Sequence, residues 1–301
     1  MHILSAIDVG SNSVRMMLAC ERNGQIFVLS THRITTRLLN GVQNGILSGE
    51  SVERTAQAVA ELCGIARSKG AHLIDAFGTS ALRDAANRES FSDRTEELCG
   101  LRVRLISGVE EAQLAYAGAA PSGKCGVIDI GGGSTELIVG SDGQMLRAHS
   151  AQLGAVRLSG ELCGREDPEE MCALSEKRLR ETVDRVCTDL PDKWIGVGGT
   201  ITTLAAMTKK VERYSPDAID DFALTPETVE SWMHNLRRMP VEERRRLPGI
   251  NPQRADIIVH GAAILLTVMR MTGADAVHAC DHDNLEGYIR RCMLPLLGAS
   301  S

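Results

Sequence analysis

A seven-residue pattern that occurs twice constrains the fold of this chain more than any other feature. The two segments are Ile7-Asp8-Val9-Gly10-Ser11-Asn12-Ser13 and Ile128-Asp129-Ile130-Gly131-Gly132-Gly133-Ser134, which align without a gap and share Ile, Asp, Gly and Ser in register. In both, an acidic residue lies at the end of an apolar run, just before a turn that contains glycine. The repeat predicts two duplicated lobes, each of which opens with a β-hairpin.

Length and charge agree with two soluble lobes. The chain has 301 residues, of which 43% are hydrophobic and 24% charged, enough for two ordinary domains with their own cores. Its formal net charge is -6, whereas nucleic-acid binding depends on clustered positive charge. We therefore expect no nucleic-acid partner, and any polyanionic ligand must meet a local basic site.

The sequence gives no sign of a membrane span or of export. The longest apolar stretch, 257–268, is interrupted by His260 and is shorter than the roughly 18 residues that cross a bilayer. It predicts a buried helix and no membrane partner. The amino terminus lacks a basic segment followed by an apolar stretch, and the nine cysteines form no CxxC pair, so we expect a cytoplasmic protein.

Strand and helix patterns alternate along the chain, which predicts an α/β fold. Predicted strands are 3–9, 14–20, 73–77, 103–106, 126–130, 136–140, 194–197 and 276–280, and predicted helices are 51–69, 81–98, 175–190, 225–239 and 253–271. The turn Pro121-Ser122-Gly123 suggests a lobe boundary. We predict a first lobe over 1–120, joined by a C-terminal helix over 285–298, and a second lobe over 121–284.

The glycine turns are candidate phosphate sites. Gly131-Gly132-Gly133-Ser134-Thr135 offers backbone N–H groups without side-chain obstruction, which suits phosphate oxygens. Asp129 beside this loop, and Asp8 beside the matching loop, are placed to hold magnesium directly or through water. The alternative is that each aspartate only caps its own turn.

Two further turns join a strand to a helix, where free N–H groups attract anions. In Gly78-Thr79-Ser80-Ala81-Leu82-Arg83, the Thr79 hydroxyl and the Arg83 guanidinium suit a phosphate, although a surface ion pair is an equal alternative for Arg83. In Gly196-Val197-Gly198-Gly199-Thr200, the glycines permit close approach of a ligand and Thr200 is the expected N-cap.

Three glutamates are candidates for catalysis or for support of it. Ser107 and Glu110 have the spacing of a capping box, which gives Glu110 a structural role. Glu111 points about 100° away around the helix and is placed to orient or deprotonate a water. The ordinary alternative is a glutamate favoured by the helix dipole. Glu136, two residues beyond Ser134, either reaches the same water or metal or points outward from its strand.

These segments together resemble the exopolyphosphatase and guanosine pentaphosphate phosphohydrolase family of the actin-like ATPase superfold, along essentially the whole chain. The resemblance is carried by Ala6-Ile7-Asp8-Val9-Gly10-Ser11-Asn12-Ser13-Val14-Arg15, Gly78-Thr79-Ser80-Ala81-Leu82-Arg83, Ser107-Gly108-Val109-Glu110-Glu111-Ala112 and Ile128-Asp129-Ile130-Gly131-Gly132-Gly133-Ser134-Thr135-Glu136-Leu137. Supporting matches are Leu153-Gly154-Ala155-Val156-Arg157-Leu158 and Arg254-Ala255-Asp256-Ile257-Ile258.

The resemblance implies two ribonuclease-H-like lobes with an interlobe cleft, and Glu111 as catalytic base. Asp129 and Glu136 would assist catalysis and, with Asp8, hold magnesium or manganese. The implied phosphate-binding residues are Ser11, Asn12, Ser13, Thr79, Arg83, Gly131, Gly132, Gly133, Ser134, Gly198, Gly199 and Thr200. By analogy we also expect a homodimer.

The chain departs from the family pattern in its tail, where Leu285 replaces the usual arginine and a phosphate contact is expected to be lost. The family's longer C-terminal helical domain is not expected either, which favours short chains. The predicted reaction is release of the terminal phosphate of short inorganic polyphosphate, guanosine pentaphosphate or both. The alternatives are an ATP-dependent kinase of the same superfold and a sensor that binds polyphosphate or the guanosine alarmone without hydrolysis.

Overall fold

The computed structural model describes residues 2–23, 25–42, 44–119, 121–212 and 215–298. The chain forms two compact units: unit 1 contains Met1–Gly118 and Asn284–Ser301, and unit 2 contains Ala119–Asp283. Each unit has its own mixed sheet covered by helices, so the predicted α/β class is confirmed. Ala120, at which the first lobe was predicted to end, lies outside the described residues.

Unit 1 is built on a five-stranded sheet with the order β3-β2-β1-β4-β5. The first two strands form the predicted antiparallel hairpin, and β4 runs parallel to β1. Alternate residues of β1 face opposite sides: Ile7 and Val9 pack in one apolar cluster, and Leu4 and Ala6 in another. The strands are β1 (His2–Val9), β2 (Ser13–Arg22), β3 (Gln25–Thr35), β4 (Leu73–Gly78) and β5 (Arg104–Leu105).

Helices cover both faces of this sheet. Helix α1 (Gly49–Ser68) is capped by Ser48, whose side chain accepts a hydrogen bond from the Ser51 amide. The single helix predicted over 81–98 is wrong, because the chain forms α2 (Ser80–Arg83) and α3 (Arg88–Cys99) instead. Between them the Asn87 side chain bonds both the N–H and the carbonyl of Leu47, which ties the backbone to another loop. Helix α4 (Gly108–Ala119) is the last element of unit 1 before the chain enters unit 2.

Unit 2 has a six-stranded sheet with the order β10-β11-β9-β6-β7-β8. Its β6–β7–β8 meander, with β9 parallel to β6, repeats the β1–β2–β3 meander with β4 parallel to β1. The duplication predicted from the seven-residue repeat therefore extends to strand order. The strands are β6 (Lys124–Ile130), β7 (Thr135–Ser141), β8 (Gln144–Ala151), β9 (Lys193–Val197), β10 (Ala223–Leu224) and β11 (Val277–Ala279).

The helices of unit 2 pack on one extended apolar cluster. The helix predicted over 175–190 begins earlier, because Asp167 caps it through the Glu170 amide and Pro168 fits its first turn. The apolar stretch 257–268 was predicted to form a buried helix, and the structure confirms this prediction. The helices are α5 (Ala155–Glu161), α6 (Pro168–Val186), α7 (Gly199–Thr208), α8 (Pro226–Arg237), α9 (Val241–Arg244) and α10 (Ile258–Thr272).

The C-terminal segment returns to unit 1 as α11 (Asn284–Tyr288), a π-helical turn (Ile289–Met293) and α12 (Leu294–Gly298). The Tyr288 ring stacks on Phe77 at 4.3 Å between centroids, and its hydroxyl donates to Asp75 at 2.7 Å. Burial and this carboxylate raise the pKa of Tyr288. Leu285, 4% exposed, lies in the same apolar cluster. An apolar side chain at this position thus serves the core of unit 1.

No described helix is both long and apolar enough to cross a membrane. Sequence patterns missed β3 and β8, the outer strands of the two meanders. Both mix polar and apolar residues and are largely exposed or half-buried, so neither shows the clean alternation that marks a strand.

Candidate active site

The triglycine loop, Gly131-Gly132-Gly133, follows β6 in unit 2. The Gly131 amide donates to the Ser134 carbonyl at 3.0 Å, which closes the tight turn predicted from the sequence. Thr135, where β7 begins, donates its hydroxyl to the Leu153 carbonyl at 2.6 Å. The loop is therefore tied to the segment that leads into α5.

The beginning of α5 binds every carbonyl of the triglycine loop. The Ala155 amide donates to Gly131 at 3.0 Å, and the Val156 and Arg157 amides donate to Gly132 at 2.9 and 3.0 Å. The Arg157 Nε atom donates to the Gly133 carbonyl at 2.7 Å. The first amides of a helix have no hydrogen-bond partner within the helix, and in α5 they donate to the carbonyls of the loop.

This arrangement fixes the direction of the loop amides. In a trans peptide the C=O and the following N–H point in opposite directions, and none of the described peptides is cis. With three successive carbonyls turned toward α5, the N–H groups of Gly132, Gly133 and Ser134 point away from it. Successive N–H groups on one side of a loop form a concavity that suits an anion.

Gly154 makes the close contact between α5 and the loop possible. A Cβ atom at this position would lie 2.5 Å from the carbonyl carbon of Gly132 and 2.5 Å from the nitrogen of Gly133. Any larger side chain would push the loop away from the amides that hold it. Gly154 is therefore required for the loop geometry.

Two buried carboxylates lie directly behind this loop. Asp129 on β6 and Glu136 on β7 are opposite each other in the antiparallel register, so their side chains share one face of the sheet. Asp129 is 5% exposed and Glu136 is fully buried. The Ser150 hydroxyl, opposite Glu136 on β8, donates to Glu136 Oε1 at 2.7 Å. Glu136 thus points inward, which resolves the alternative of an outward strand residue.

The predicted third turn lies next to Asp129. Gly198, with φ +87, is the N-cap of α7, and a Cβ there would lie 2.6 Å from Asp129 Oδ1. A Cβ on Gly199 would lie 2.0 Å from the guanidinium carbon of Arg254, so this arginine packs directly on the turn. The predicted N-cap at Thr200 is wrong: Thr200 lies inside the helix, because Gly198 adopts the conformation that begins it.

In unit 1 the matching loop closes in the same way. The Gly10 amide donates to the Ser13 carbonyl at 3.1 Å, and the Asn12 carbonyl accepts the amides of Thr36 and Arg37 at 3.1 and 2.9 Å. Ser11, Asn12 and Ser13 are buried. The Ser11 hydroxyl lies 3.4 Å from that of Ser80 in the turn that contains Thr79. The two predicted phosphate turns of unit 1 are therefore adjacent.

Asp8 has a different environment from Asp129. The residue opposite it on β2 is Arg15, whose Nε donates to Asp8 Oδ2 at 3.1 Å. A second guanidinium nitrogen approaches the same oxygen. Asp8 thus forms an ion pair within unit 1, and Arg15 would compete with a cation for this carboxylate.

Glu110 and Glu111 occupy the two environments that their spacing predicts. The Ser107 amide donates to Glu110 at 2.7 Å and the Glu110 amide donates to the Ser107 hydroxyl at 3.2 Å, so the capping box is confirmed. The backbone hydrogen bond from Ser107 lowers the pKa of Glu110. Glu111 is buried and accepts a hydrogen bond from Arg83 Nη1 at 3.0 Å. Arg83 therefore forms an ion pair with a buried carboxylate and not a surface one.

The carboxylates of unit 2 fit a hard divalent cation. Among the residues that the structure describes, no three His, Cys, Asp or Glu side chains form a group arranged to hold a metal ion. Mg²⁺, however, usually takes only one or two protein carboxylates and completes its shell with water and substrate phosphate. Asp129 and Glu136, paired beside a phosphate-sized loop, meet that requirement.

The side chains of Arg157, Ser150 and Arg254 take part in these contacts and were not among the predicted site residues. Arg157 and Arg254 lie in segments that the family resemblance includes, but no local pattern shows which group each side chain contacts. Ser150 is found only from the register of β7 and β8, because fourteen residues separate it from Glu136.

Two units with the same meander and parallel fourth strand, each with a tight loop after an aspartate, define a two-lobed α/β protein of the actin-like ATPase superfold. The chain belongs to the Ppx/GppA phosphatase family, whose family model matches residues 17–295. Family membership places it among the hydrolases.

Individual relatives support this placement over the full length. The chain is 30% identical over 309 aligned residues to Exopolyphosphatase 2 of Mycobacterium tuberculosis, covering 94% of this chain and 96% of the relative. The crystal structure of the Aquifex aeolicus Ppx/GppA family member aligns with a TM-score of 0.81 at 28% identity, over 100% of this chain and 99% of that one. An exopolyphosphatase-like protein of known structure aligns with a TM-score of 0.89 at 28% identity, over 98% and 99%.

Proposed function

We propose that this protein hydrolyses the terminal phosphoanhydride bond of inorganic polyphosphate, of guanosine pentaphosphate, or of both. The observation that carries the proposal is the triglycine loop, whose three carbonyls are all bound by α5 so that its amides point the other way. Preorganised amides of this kind stabilise phosphoryl oxygens without rearranging during the reaction. The name of the Mycobacterium relative, an exopolyphosphatase, supports the choice of polyphosphate.

The predicted site residues other than Asp8 have the following roles in this proposal. The loop amides, with Gly198, Gly199 and Arg254, bind the phosphate chain in unit 2. In unit 1, Ser11, Asn12, Ser13, Thr79 and Arg83 are the proposed phosphate ligands. Thr200, buried within α7, supports its turn by packing against Gly261, where a Cβ would lie 2.6 Å from the Thr200 hydroxyl.

The chemical step is attack of a water oxygen on the terminal phosphorus. The water loses its proton to Glu111, the new P–O bond forms, and the bridging P–O bond breaks with the electron pair leaving on the shortened chain. Arg83 Nη1, 3.0 Å from Glu111 Oε2, forms an ion pair that holds this carboxylate in place. A proton acceptor at this step contributes about 10²–10⁴-fold to the rate.

Asp129 and Glu136 are the proposed ligands of one magnesium or manganese ion. When bound, the ion would offset the negative charge of the phosphoryl oxygens. Both side chains are buried, on the two strands that flank the triglycine loop.

Phosphate release is the decisive measurement. The substrates are tripolyphosphate, long-chain polyphosphate, guanosine pentaphosphate and ATP, each with magnesium and with excess EDTA. We expect release from at least one of the first three, its loss with EDTA, and a loss of about 10²–10⁴-fold for Glu111→Gln.

Glu110→Gln is the matched control, because it makes the same change one residue earlier in a half-exposed side chain that caps α4 and pairs with Arg104. It should keep wild-type turnover. Near-normal turnover of Glu111→Gln would remove Glu111 from the mechanism. Binding of all three phosphate substrates without release would instead indicate a sensor, and ATP-dependent transfer to a second substrate would indicate a kinase.

A further inference from the structure

A row of three polar side chains crosses the sheet of unit 2. Asp129 is opposite Glu136 between β6 and β7, and Glu136 is opposite Ser150 between β7 and β8. Cross-strand partners in register point to the same face. Ser150 is therefore the outer member of a row that contains both proposed metal-binding carboxylates.

In the hydrogen bond between Ser150 and Glu136, the serine is the donor and the carboxylate the acceptor. A serine hydroxyl has one proton to donate, and an ionised carboxylate can only accept. The Ser150 Oγ atom lies 2.7 Å from Glu136 Oε1, the distance of a charge-assisted O–H···O bond. Because Glu136 is fully buried, this hydroxyl replaces hydration that the carboxylate has lost.

We propose that Ser150 is a positioning residue for hydrolysis, whose hydroxyl donates a hydrogen bond to Glu136 and holds this carboxylate in one orientation on the face that it shares with Asp129. The inference rests on the proposed function of Glu136. Ser150 does not contact the reacting atoms in this proposal and acts only through Glu136.

The hydroxyl is not required to join the strands. Backbone pairing of β7 and β8 continues on both sides of this position, at Thr135 with Ala151 and at Leu137 with His149. Alanine removes only the oxygen from a site that is not close-packed, since Ser150 is partly exposed. The fold is therefore expected to survive Ser150→Ala, and a change in turnover would report on Glu136.

The test compares Ser150→Ala, Ser150→Thr and Ser141→Ala in steady-state hydrolysis of tripolyphosphate with magnesium. For Ser150→Ala we expect kcat to fall about tenfold, the equivalent of about 1.4 kcal/mol, with KM within about twofold of wild type. Ser150→Thr retains a hydroxyl and should restore most of the rate.

Ser141→Ala is the matched control, since it removes a serine hydroxyl from the other end of β7, where the partner is the exposed Asp142. It should leave kcat and KM unchanged. Thermal unfolding of all three variants separates folding from turnover. A Ser150→Ala protein with wild-type kcat overturns the proposal, and so does a loss of rate that Ser150→Thr fails to reduce.

Glu136→Gln distinguishes the failure of this inference from that of the proposed function. Wild-type turnover of Glu136→Gln would remove Glu136 from the mechanism altogether. Loss of turnover in Glu136→Gln, together with normal turnover in Ser150→Ala, would overturn the role of Ser150 alone. With enzyme in excess over tripolyphosphate, adding Ser150→Ala to Glu136→Gln should cause no further loss, whereas a full additional tenfold loss contradicts action through Glu136.

Discussion

The loop after β1 and the loop after β6 are closed by the same hydrogen bond, but the aspartates before them have different cross-strand partners. The amide of Gly10 closes on Ser13 at 3.1 Å and that of Gly131 on Ser134 at 3.0 Å. Asp8, however, faces Arg15 across its hairpin, whereas Asp129 faces Glu136. The aspartate of unit 1 therefore has a cationic cross-strand partner, and the aspartate of unit 2 has an acidic one.

The two loops also differ in what fills them. Unit 1 has the buried side chains of Ser11 and Asn12, while unit 2 has glycines whose carbonyls are all bound by α5. Hydroxyl and amide side chains offer hydrogen bonds of adjustable direction, whereas bare amides held from behind offer fixed ones. The comparison indicates that the loop of unit 2 is the more rigid of the two proposed phosphate-binding loops.

The difference between the two aspartates is tested most directly by neutralising each of them in turn. Asp129→Asn should lower kcat for tripolyphosphate by about 10²–10³-fold, because it removes charge from the proposed cation site. Asp8→Asn should lower it far less, because Arg15 already balances Asp8. Steady-state kinetics over a range of magnesium concentrations tests both, and equal losses would show that the two loops are electrostatically equivalent.

The rigid support of the triglycine loop is tested by Gly154→Ala. The added methyl group would meet the loop backbone at 2.5 Å, so we expect a fall in kcat/KM of about 10²-fold and a stability loss of about 1–3 kcal/mol. Gly160→Ala in the same helix meets nothing within 4 Å. That control should gain about 0.5–1 kcal/mol in urea unfolding and retain activity. A fully active Gly154→Ala protein would show that α5 does not fix the loop.

The charge balance in unit 1 is tested by Arg15→Gln. This substitution removes the guanidinium that pairs with the buried Asp8 carboxylate, so the free energy of unfolding should fall by about 3 kcal/mol. The double variant Asp8→Asn with Arg15→Gln should recover part of this loss, because no buried charge remains. Urea unfolding measures both, and a loss that the double variant makes larger would rule out the ion pair as its cause.

The smallest expected effect concerns the helix starts. Helix α4 is capped by Ser107 and Glu110, whereas α5 has no side-chain cap and donates its amides to the triglycine loop. Because the pKa of Glu110 is lowered in the folded protein, its contribution is present above the unfolded pKa near about 4.3 and is lost as the pH falls through the folded value.

Glu110→Gln should accordingly cost about 0.5 kcal/mol at pH 7 and nothing once the carboxyl is protonated at low pH. Unfolding midpoints of the two proteins, measured from neutral to acid pH, test this prediction. If the unfolding midpoints of the two proteins differed by the same amount at every pH, the charge of Glu110 would not be what stabilises the helix.

Local patterns predicted the elements whose causes are local. The hairpins around Gly10 and Gly131 follow from turn residues between apolar runs, and the capping box follows from the spacing of Ser107 and Glu110. The third strands β3 and β8 were missed, because a half-exposed edge strand has no sharp period. The early start of α6 was also missed, although Asp167 and Pro168 are an ordinary start signal.

The sequence by itself determined the duplication, the α/β class, the family and which residues can carry charge into the site. Only the tertiary structure decided that Arg15 neutralises Asp8, that α5 binds the triglycine carbonyls, and that Ser150 holds Glu136. The reason is physical. Turn and cap geometry depends on neighbours within a few residues, whereas these contacts depend on strand register and on packing between segments that are distant in the chain.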